Sequence, residues 1–211
     1  IFISHEHSDH IAGLQQLLKR FDIPVYTKQG TWREIQDKLI VPKNQLIELT
    51  KGSLTLGNLI VEPFAVSHDA ADPIGINVFA GKDKATVVTD TGVVSDSILR
   101  RMDDTTLLVL EANYDPHMLR FGPYQPFLKQ RVASDEGHLS NEMAAQALLM
   151  MNRPDFMQVI LAHRSENNNN AVLVTQTIGK MLVDGGVRIG PEMKLQHGQP
   201  NEIVSMKSVK R

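Results

Sequence analysis

The chain has 211 residues, 42% of them hydrophobic and 22% charged, with 22 Lys plus Arg against 24 Asp plus Glu for a formal net charge of −2. This composition suits a globular domain with one core, read as a single domain over 1–211, and it excludes the global basic field of a general polyanion binder, so any attraction for nucleic acid must be local. Cysteine is absent, which excludes disulfides, thiolate metal sites and cysteine nucleophiles; with no apolar run near the roughly 20 residues of a membrane span, the sequence reads as cytoplasmic.

Ile1-Phe2-Ile3 has the character of the end of a buried strand, and the expectation is that a preceding segment is missing. Eight histidines occur in the chain, three of them within Ser4-His5-Glu6-His7-Ser8-Asp9-His10. In extended backbone His5 and His7 share one side, while Asp9 and His10 curl back on the following turn. Three imidazoles and a carboxylate can thus converge. Such donors suit Zn, Mn or Fe better than Ca or Mg, and without thiolates they point to a hydrolytic site rather than a structural one.

Leu14, Leu17 and Leu18 at helical spacing predict a helix over 11–20. A short strand is expected over 23–27, with Pro24 marking an edge, and a second helix over 30–39. The segments 45–49, 53–56 and 59–66, separated by Lys51-Gly52 and Gly57-Asn58, look like a β-meander. Further strands are expected at 75–80, 85–89 and 106–110, the last two as the continuous apolar runs of a covered sheet. Each of those two ends in an acid, Asp90 and Glu111, where α/β sheets commonly carry chemistry. After the Pro- and Gly-punctuated stretch 117–138, Ser140 is a good N-cap, with Glu142 in the first turn of a helix to Met151. A strand over 157–162 ends at His163, a helix over 170–182 stops at Asp184-Gly185-Gly186, and the tail from Gly190 is weakly patterned. The mixture predicts a layered α/β domain.

His5-Glu6-His7-Ser8-Asp9-His10 resembles the HxHxDH signature of the metallo-β-lactamase fold. The remaining ligand positions of that family follow in its order: His68 after Pro63-Phe64-Ala65-Val66-Ser67, Asp90 in Val88-Thr89-Asp90-Thr91-Gly92, and His163 in Leu161-Ala162-His163. Singly, His68 and His163 would pass for structural histidines and Asp90 for a turn carboxylate; the ordered set is what carries the likeness, from residue 1 to about His197. The resemblance implies an αββα sandwich, N-terminally truncated in this chain, and two divalent metal ions, Zn or Mn. His5, His7 and His68 would hold one ion, Asp9, His10 and His163 the other, with Asp90 bridging, and the pair would activate a hydroxide.

Val66-Ser67-His68-Asp69-Ala70-Ala71-Asp72-Pro73 departs from the Thr-Pro-Gly-His form of the thioester-hydrolase, lactonase and β-lactamase branches, which favours the nucleases. Ser134-Asp135-Glu136-Gly137-His138-Leu139-Ser140-Asn141 and His163-Arg164-Ser165-Glu166-Asn167-Asn168 are similar to the SDRGHLSN and HLSEENN forms of the YycJ/WalJ-like bacterial exonucleases, with Glu136 and Arg164 as departures. The resemblance implies a metal-dependent phosphodiesterase, a DNA 5′-to-3′ exonuclease whose partner is its nucleic acid, with no membrane and no obligate protein partner. Asp9 would be both ligand and proton acceptor. His138, placed before a helix N-terminus with free N–H groups, could protonate the leaving oxygen or hold a phosphate oxygen, or simply cap.

Ser165 and Asn167 could hydrogen-bond phosphate or cap the next helix. Lys129 and Arg131, with Arg120, Tyr124 and Phe127, form either a backbone-tracking groove or a solvated helix face. Glu111 is either a partner orienting a ligand histidine or a turn carboxylate. His117 is a substrate contact or an ordinary surface histidine, and His197 has no assigned role. Two alternatives remain: a small-molecule hydrolase of the same fold acting on a thioester, lactone or cyclic phosphodiester, and a truncated metal-binding remnant with little activity, since the fold normally begins with further strands and an early Asp.

Overall fold

The computed structural model describes residues 1–50, 52–199 and 202–205, so Lys51 of the expected 51–52 turn lies outside them. Strands β1 (Val25–Thr27) and β2 (Leu46–Glu48) pair in parallel as a two-stranded sheet, with Phe2 bridged to Tyr26. A seven-stranded sheet follows in chain order: β3 (Leu54–Leu56), β4 (Leu59–Ala65), β5 (Ile74–Ala80), β6 (Asp83–Val88), β7 (Leu107–Glu111), β8 (Met157–Ala162) and β9 (Met193–His197). Its first half, β3 to β6, is antiparallel, and from β6 to β9 every pairing is parallel.

The parallel half needs crossovers, and helices supply them. Helix α1 is Ser8–Ile11, α2 Leu14–Leu18 and α3 Gln29–Ile35; α4 (Asp96–Met102) links β6 to β7; α5 (Pro116–Phe121), α6 (Pro126–Val132) and α7 (Asn141–Met150) lie between β7 and β8; α8 (Ala171–Asp184) links β8 to β9. Met102 of α4, Ala144 and Leu148 of α7, and Ile178 and Leu182 of α8 pack on Val88, Leu108, Leu110 and Val159. Tyr26, Leu49 and Ile74 join the two sheets. Ile3, Ile11, Leu14, Val25 and Ile35 pack beneath α1 to α3. The layers therefore run helix, sheet, sheet, helix, the sandwich expected.

Several local expectations are corrected. The helix over 11–20 is broken into α1 and α2, because Leu14 is buried whereas Leu17 is 43% exposed and so anchors no continuous apolar stripe. The first arm of the meander leaves it, since β2 pairs with β1 rather than with β3. The apolar runs of β6 and β7 are not covered on both faces: Val88, Leu108 and Leu110 are fully buried, yet Val87 is 38% exposed. Helices α4, α5 and α6 and strand β9 carry segments for which no element was expected. Among the described residues no helix is long and apolar enough to cross a membrane.

Because β6 to β9 run parallel, their C-terminal ends meet on one rim. Gly92 lies just beyond β6, its N–H donating to the Ser67 carbonyl at 2.9 Å. A Cβ there would fall 2.2 Å from the Ser134 carbonyl oxygen and 2.4 Å from the Asp135 backbone. Gly92→Ala is expected to lower stability by about 1–3 kcal/mol through overpacking, read as a drop in Tm by circular dichroism; an unchanged Tm would show that the 134–137 loop can withdraw freely.

Candidate metal centre

The rim gathers side chains from distant parts of the chain. The 5–10 segment leaves Ile3, whose N–H donates to the Tyr26 carbonyl, and folds into α1. His68 follows β4, Asp90 follows β6, Glu111 ends β7 and His163 follows β8. Asp90 and His163 both have left-handed backbone, φ 56° and 52°. Such φ values are uncommon for residues with side chains and concentrate at functional sites, where the surroundings hold them.

The ring nitrogens show a consistent division of labour. Ser4 Oγ lies 3.1 Å from Nδ1 of both His5 and His10, an oxygen that can accept from each. His68 Nδ1 donates to the carbonyls of Glu136 and Gly137 at 3.1 and 3.0 Å. His163 Nδ1 donates to Glu111 Oε1 at 2.8 Å. In each case the Nε2 is left for the cluster: that of His10 is 3.3 Å from Asp90 Oδ2, that of His163 is 3.4 Å from Asp90 Oδ1, and that of His68 is 3.3 Å from His7 Nδ1. Fixing one imidazole nitrogen by a carbonyl or carboxylate so that the other can coordinate is the usual support of metal-ligating histidine.

Donor atoms of His5, His7 and His68 lie within 4.8 Å of one another, as do those of Asp9, His10 and His163. Asp90 falls with His5 and His10 and also with Glu111, His138 and His163, a position from which it can serve both groups. The fit to a cation rests on two buried atoms: His5 Nε2 and Asp90 Oδ2 have no hydrogen-bond partner. A buried polar atom without a partner is costly. The 3.3 Å between His68 Nε2 and His7 Nδ1 also matches the roughly 3.3–3.4 Å between donors 2.0–2.1 Å from one tetrahedral zinc.

The electrostatics say the same. Burial works against the Asp90 carboxylate, yet the imidazoles of His10 and His163 hold it below the ordinary range. Glu111, fully buried, is likewise held low against its burial by His138 and His163. Hydrogen bonding to His163 keeps Asp9 well below the usual carboxylate value. Burial would lower His163, but Asp9, Glu111 and Asp90 push it up to about 10. Burial, with the neighbouring His10, pushes His5 down to about 3. The carboxylates therefore call for positive charge among them, while His5 and His68, both lowered chiefly by burial, stand as neutral donors.

Glu111 is the partner left open by the sequence. Besides His138 Nδ1 at 2.7 Å and His163 Nδ1 at 2.8 Å, it accepts from the N–H groups of Thr91 and Leu139. Three supports had been given no role. Ser4 adjoins the motif directly. Glu6 is buried and accepts from Ala71 N–H at 2.7 Å, tying the first loop to the His68 loop. Asn113 donates to the His163 carbonyl at 2.9 Å; its place just past β7 was the available signal.

A cavity of about 990 Å³ opens beside the cluster, lined by Asp9, His138, His163 and, among others, Tyr124, Arg131, Ser165 and Asn167. A smaller one of about 330 Å³ lies over His7, Asp9, Asp90, Arg131, His138 and His163. His138 is thus brought to the cluster, and four of the N–H groups around it are already paired: His138 N–H donates to Val132, Leu139 N–H to Glu111, Asn141 N–H to Tyr114 and Met143 N–H to the Ser140 hydroxyl. Arg131 is ion-paired with Asp69. Lys129 donates to the Arg120 carbonyl at 2.8 Å, and Ser165 Oγ accepts from Asn168 N–H at 3.1 Å. Asn167 reaches the Tyr124 hydroxyl at 3.5 Å. His117 packs against Phe121 with the two rings tilted, and His197 contacts Thr175.

The family model described as "Beta-lactamase superfamily domain" matches residues 1–163. Exodeoxyribonuclease YycJ of Bacillus anthracis is 35% identical over 202 residues, which are 95% of this chain and 76% of that protein. Exodeoxyribonuclease WalJ of Streptococcus pneumoniae is 32% identical over 206 residues, again 95% and 76%. Among solved structures, the metallo-beta-lactamase fold protein YhfI from Bacillus subtilis superposes with a TM-score of 0.65 at 16% identity, covering 92% of this chain and 73% of that one, a likeness of fold.

Since Glu111 orients two imidazoles at once, Glu111→Gln is expected to weaken divalent-metal affinity by roughly ten- to a hundredfold while the protein stays folded. Titration calorimetry with Zn or Mn checks this; wild-type affinity in the variant would reduce Glu111 to a packing role.

Proposed function

The chain belongs to the beta-lactamase superfamily and is a metallo-hydrolase, and from that premise we propose that its substrate is nucleic acid, most specifically DNA degraded exonucleolytically from a 5′ end. What carries this reading is the continuity of an imidazole and carboxylate cluster with a large cavity whose mixed wall brings hydrogen-bonding and cationic side chains, Arg131, Ser165, Asn167 and Tyr124, beside it. The two exodeoxyribonucleases that resemble nearly the whole chain support it.

In this proposal two divalent ions, Zn or Mn, would be held by His5, His7 and His68 and by Asp9, His10 and His163, with Asp90 within reach of both groups of donors. Bound there, the ions would polarise the phosphoryl oxygens and make water a competent nucleophile near neutral pH. The chain's own groups do the rest. Asp9, its side chain 63% exposed, is placed to take up a proton, its Oδ2 lying 3.5 Å from Nε2 of both His10 and His163. Glu111 holds His138 through Nδ1, so Nε2 of a cavity-lining imidazole serves the leaving oxygen as proton donor or a nonbridging oxygen as hydrogen-bond donor. The Ser165 hydroxyl and Asn167 amide hydrogen-bond the substrate backbone, while Arg131, steadied by Asp69, and Lys129, anchored on Arg120, add positive charge from α6.

Mn- or Zn-loaded protein is expected to release the label of 5′-labelled duplex DNA as mononucleotide while 3′-labelled strands shorten progressively, to lose the activity on chelation, and to lose at least roughly a hundredfold in Asp90→Ala. Undiminished cleavage by Asp90→Ala would overturn the mechanism. Turnover of thioesters or lactones without any cleavage of DNA would overturn the substrate class. His138→Ala is expected to lower kcat by roughly a hundredfold or more while metal content, measured by elemental analysis, stays at the wild-type level; loss of metal in that variant would instead make His138 a ligand.

A further inference from the structure

Arg164 follows His163 and lines the cavity of about 990 Å³, but not the smaller cavity over the cluster; Asp9, His138 and His163 line both. It therefore stands on the extension of the site rather than over the reacting centre. Its Nη1 is buried without a hydrogen-bond partner, and among the described residues no carboxylate pairs with it. A guanidinium cannot shed its proton, so a buried N–H of this kind carries an uncompensated desolvation cost.

Its neighbours do not relieve it. Asn169 is spent on the carbonyls of Ala112 and Asn113 and on Asn141, and the Asn170 side chain caps Leu173 N–H at the start of α8. On the adjoining strand end, Leu161 of β8 lies opposite His197 of β9, and Gly198 N–H donates to the Leu161 carbonyl at 2.8 Å. Burial, helped by the charge of Arg164, holds the His197 imidazole below its ordinary value, so Arg164 is the fixed cation of this wall. Arg131, the other arginine of the cavity, already has Asp69 as its partner.

We propose that Arg164, at the C-terminal end of β8, binds a second phosphate of the substrate strand, one adjacent to the phosphodiester being cleaved, and so makes the site selective for a polymer over an isolated diester. The inference rests on the nuclease reading above. The planar guanidinium fork suits a phosphate's oxygens, and a turn of the Arg164 side chain toward an anion in the cavity it lines would give the unpartnered N–H the acceptor it lacks.

The test compares metal-loaded wild type, Arg164→Gln and Arg164→Lys on end-labelled single-stranded DNA and on bis-para-nitrophenyl phosphate, which carries one phosphate. Arg164→Gln is expected to reduce kcat/KM on DNA by roughly ten- to a hundredfold, a loss at least tenfold greater than that on the small diester. The slope of log kcat/KM against log salt on DNA should become shallower by about 0.7, one phosphate contact on a single strand. Arg164→Lys, which keeps the charge, should retain that slope. Equal losses on both substrates would mean that Arg164 acts through His163 and would overturn the inference, as would an unchanged rate on DNA. A wild type that hydrolyses the small diester but not DNA would overturn the nuclease reading itself, and the inference with it.

Discussion

A fully buried carboxylate, Glu111, is the constraint on which the rest of the rim depends. Burial of an ionised carboxylate is tolerable only when its oxygens are satisfied, and Glu111 meets that condition through donors from three different places. The N–H of Thr91 comes from the turn after β6, the N–H of Leu139 and the imidazole of His138 from the approach to α7, and the imidazole of His163 from the end of β8. Satisfying one side chain thus sets the relative position of three loops. A network of this kind, complete in every member, is rigid, and a partial one is costly. Asp90 stands one strand away with its Oδ2 unsatisfied by any hydrogen bond. The contrast between the two acids separates the group that orients from the group left open to bind.

Function lives in the site and not in the layers. The same sandwich holds hydrolases of many kinds, and the proposed turn of this one toward phosphodiesters rests on the hydrogen-bonding and cationic side chains in the cavity wall beside the cluster. The near-neutral chain sharpens that point. With a formal charge of −2, affinity for a polyanion must come from cations placed locally, and the structure places Arg131 and Arg164 on the large cavity beside the imidazoles.

Much of this was legible in the sequence where chemistry and regular structure coincide. The 5–10 motif, Asp90 and His163 could be read because each follows a strongly apolar run, and the cap Ser140 occurs where the structure has it, its side chain accepting from Met143 N–H. Strand β9 was not legible: of Met193-Lys194-Leu195-Gln196-His197 only Met193 is fully buried, so the edge strand shows no alternation. Helix α4 carried a readable signal in Ser95, which caps Ile98 N–H, but one turn after that cap the apolar face is only two residues deep. The pairing of β1 with β2 is a choice between partners of similar composition, decided by Tyr26 and Leu49 packing against Ile74. The support given by the Glu136 loop was not legible for a related reason: its backbone carbonyls, not a side chain, accept from His68.

The rim also has a bearing on how the molecule comes into being. Its members are drawn from the first ten residues, from positions 68, 90 and 111, and finally from 138 and 163, so nearly all of their contacts are long-range in the chain. Architectures dominated by such separations fold slowly, because loop closure must precede the contacts that reward it. During synthesis the early histidines leave the ribosome long before their companions exist, and they meet an aqueous milieu with nothing to orient them. The centre is therefore completed only after the chain has been made through β8, and its assembly is a report that β6, β7 and β8 have come together.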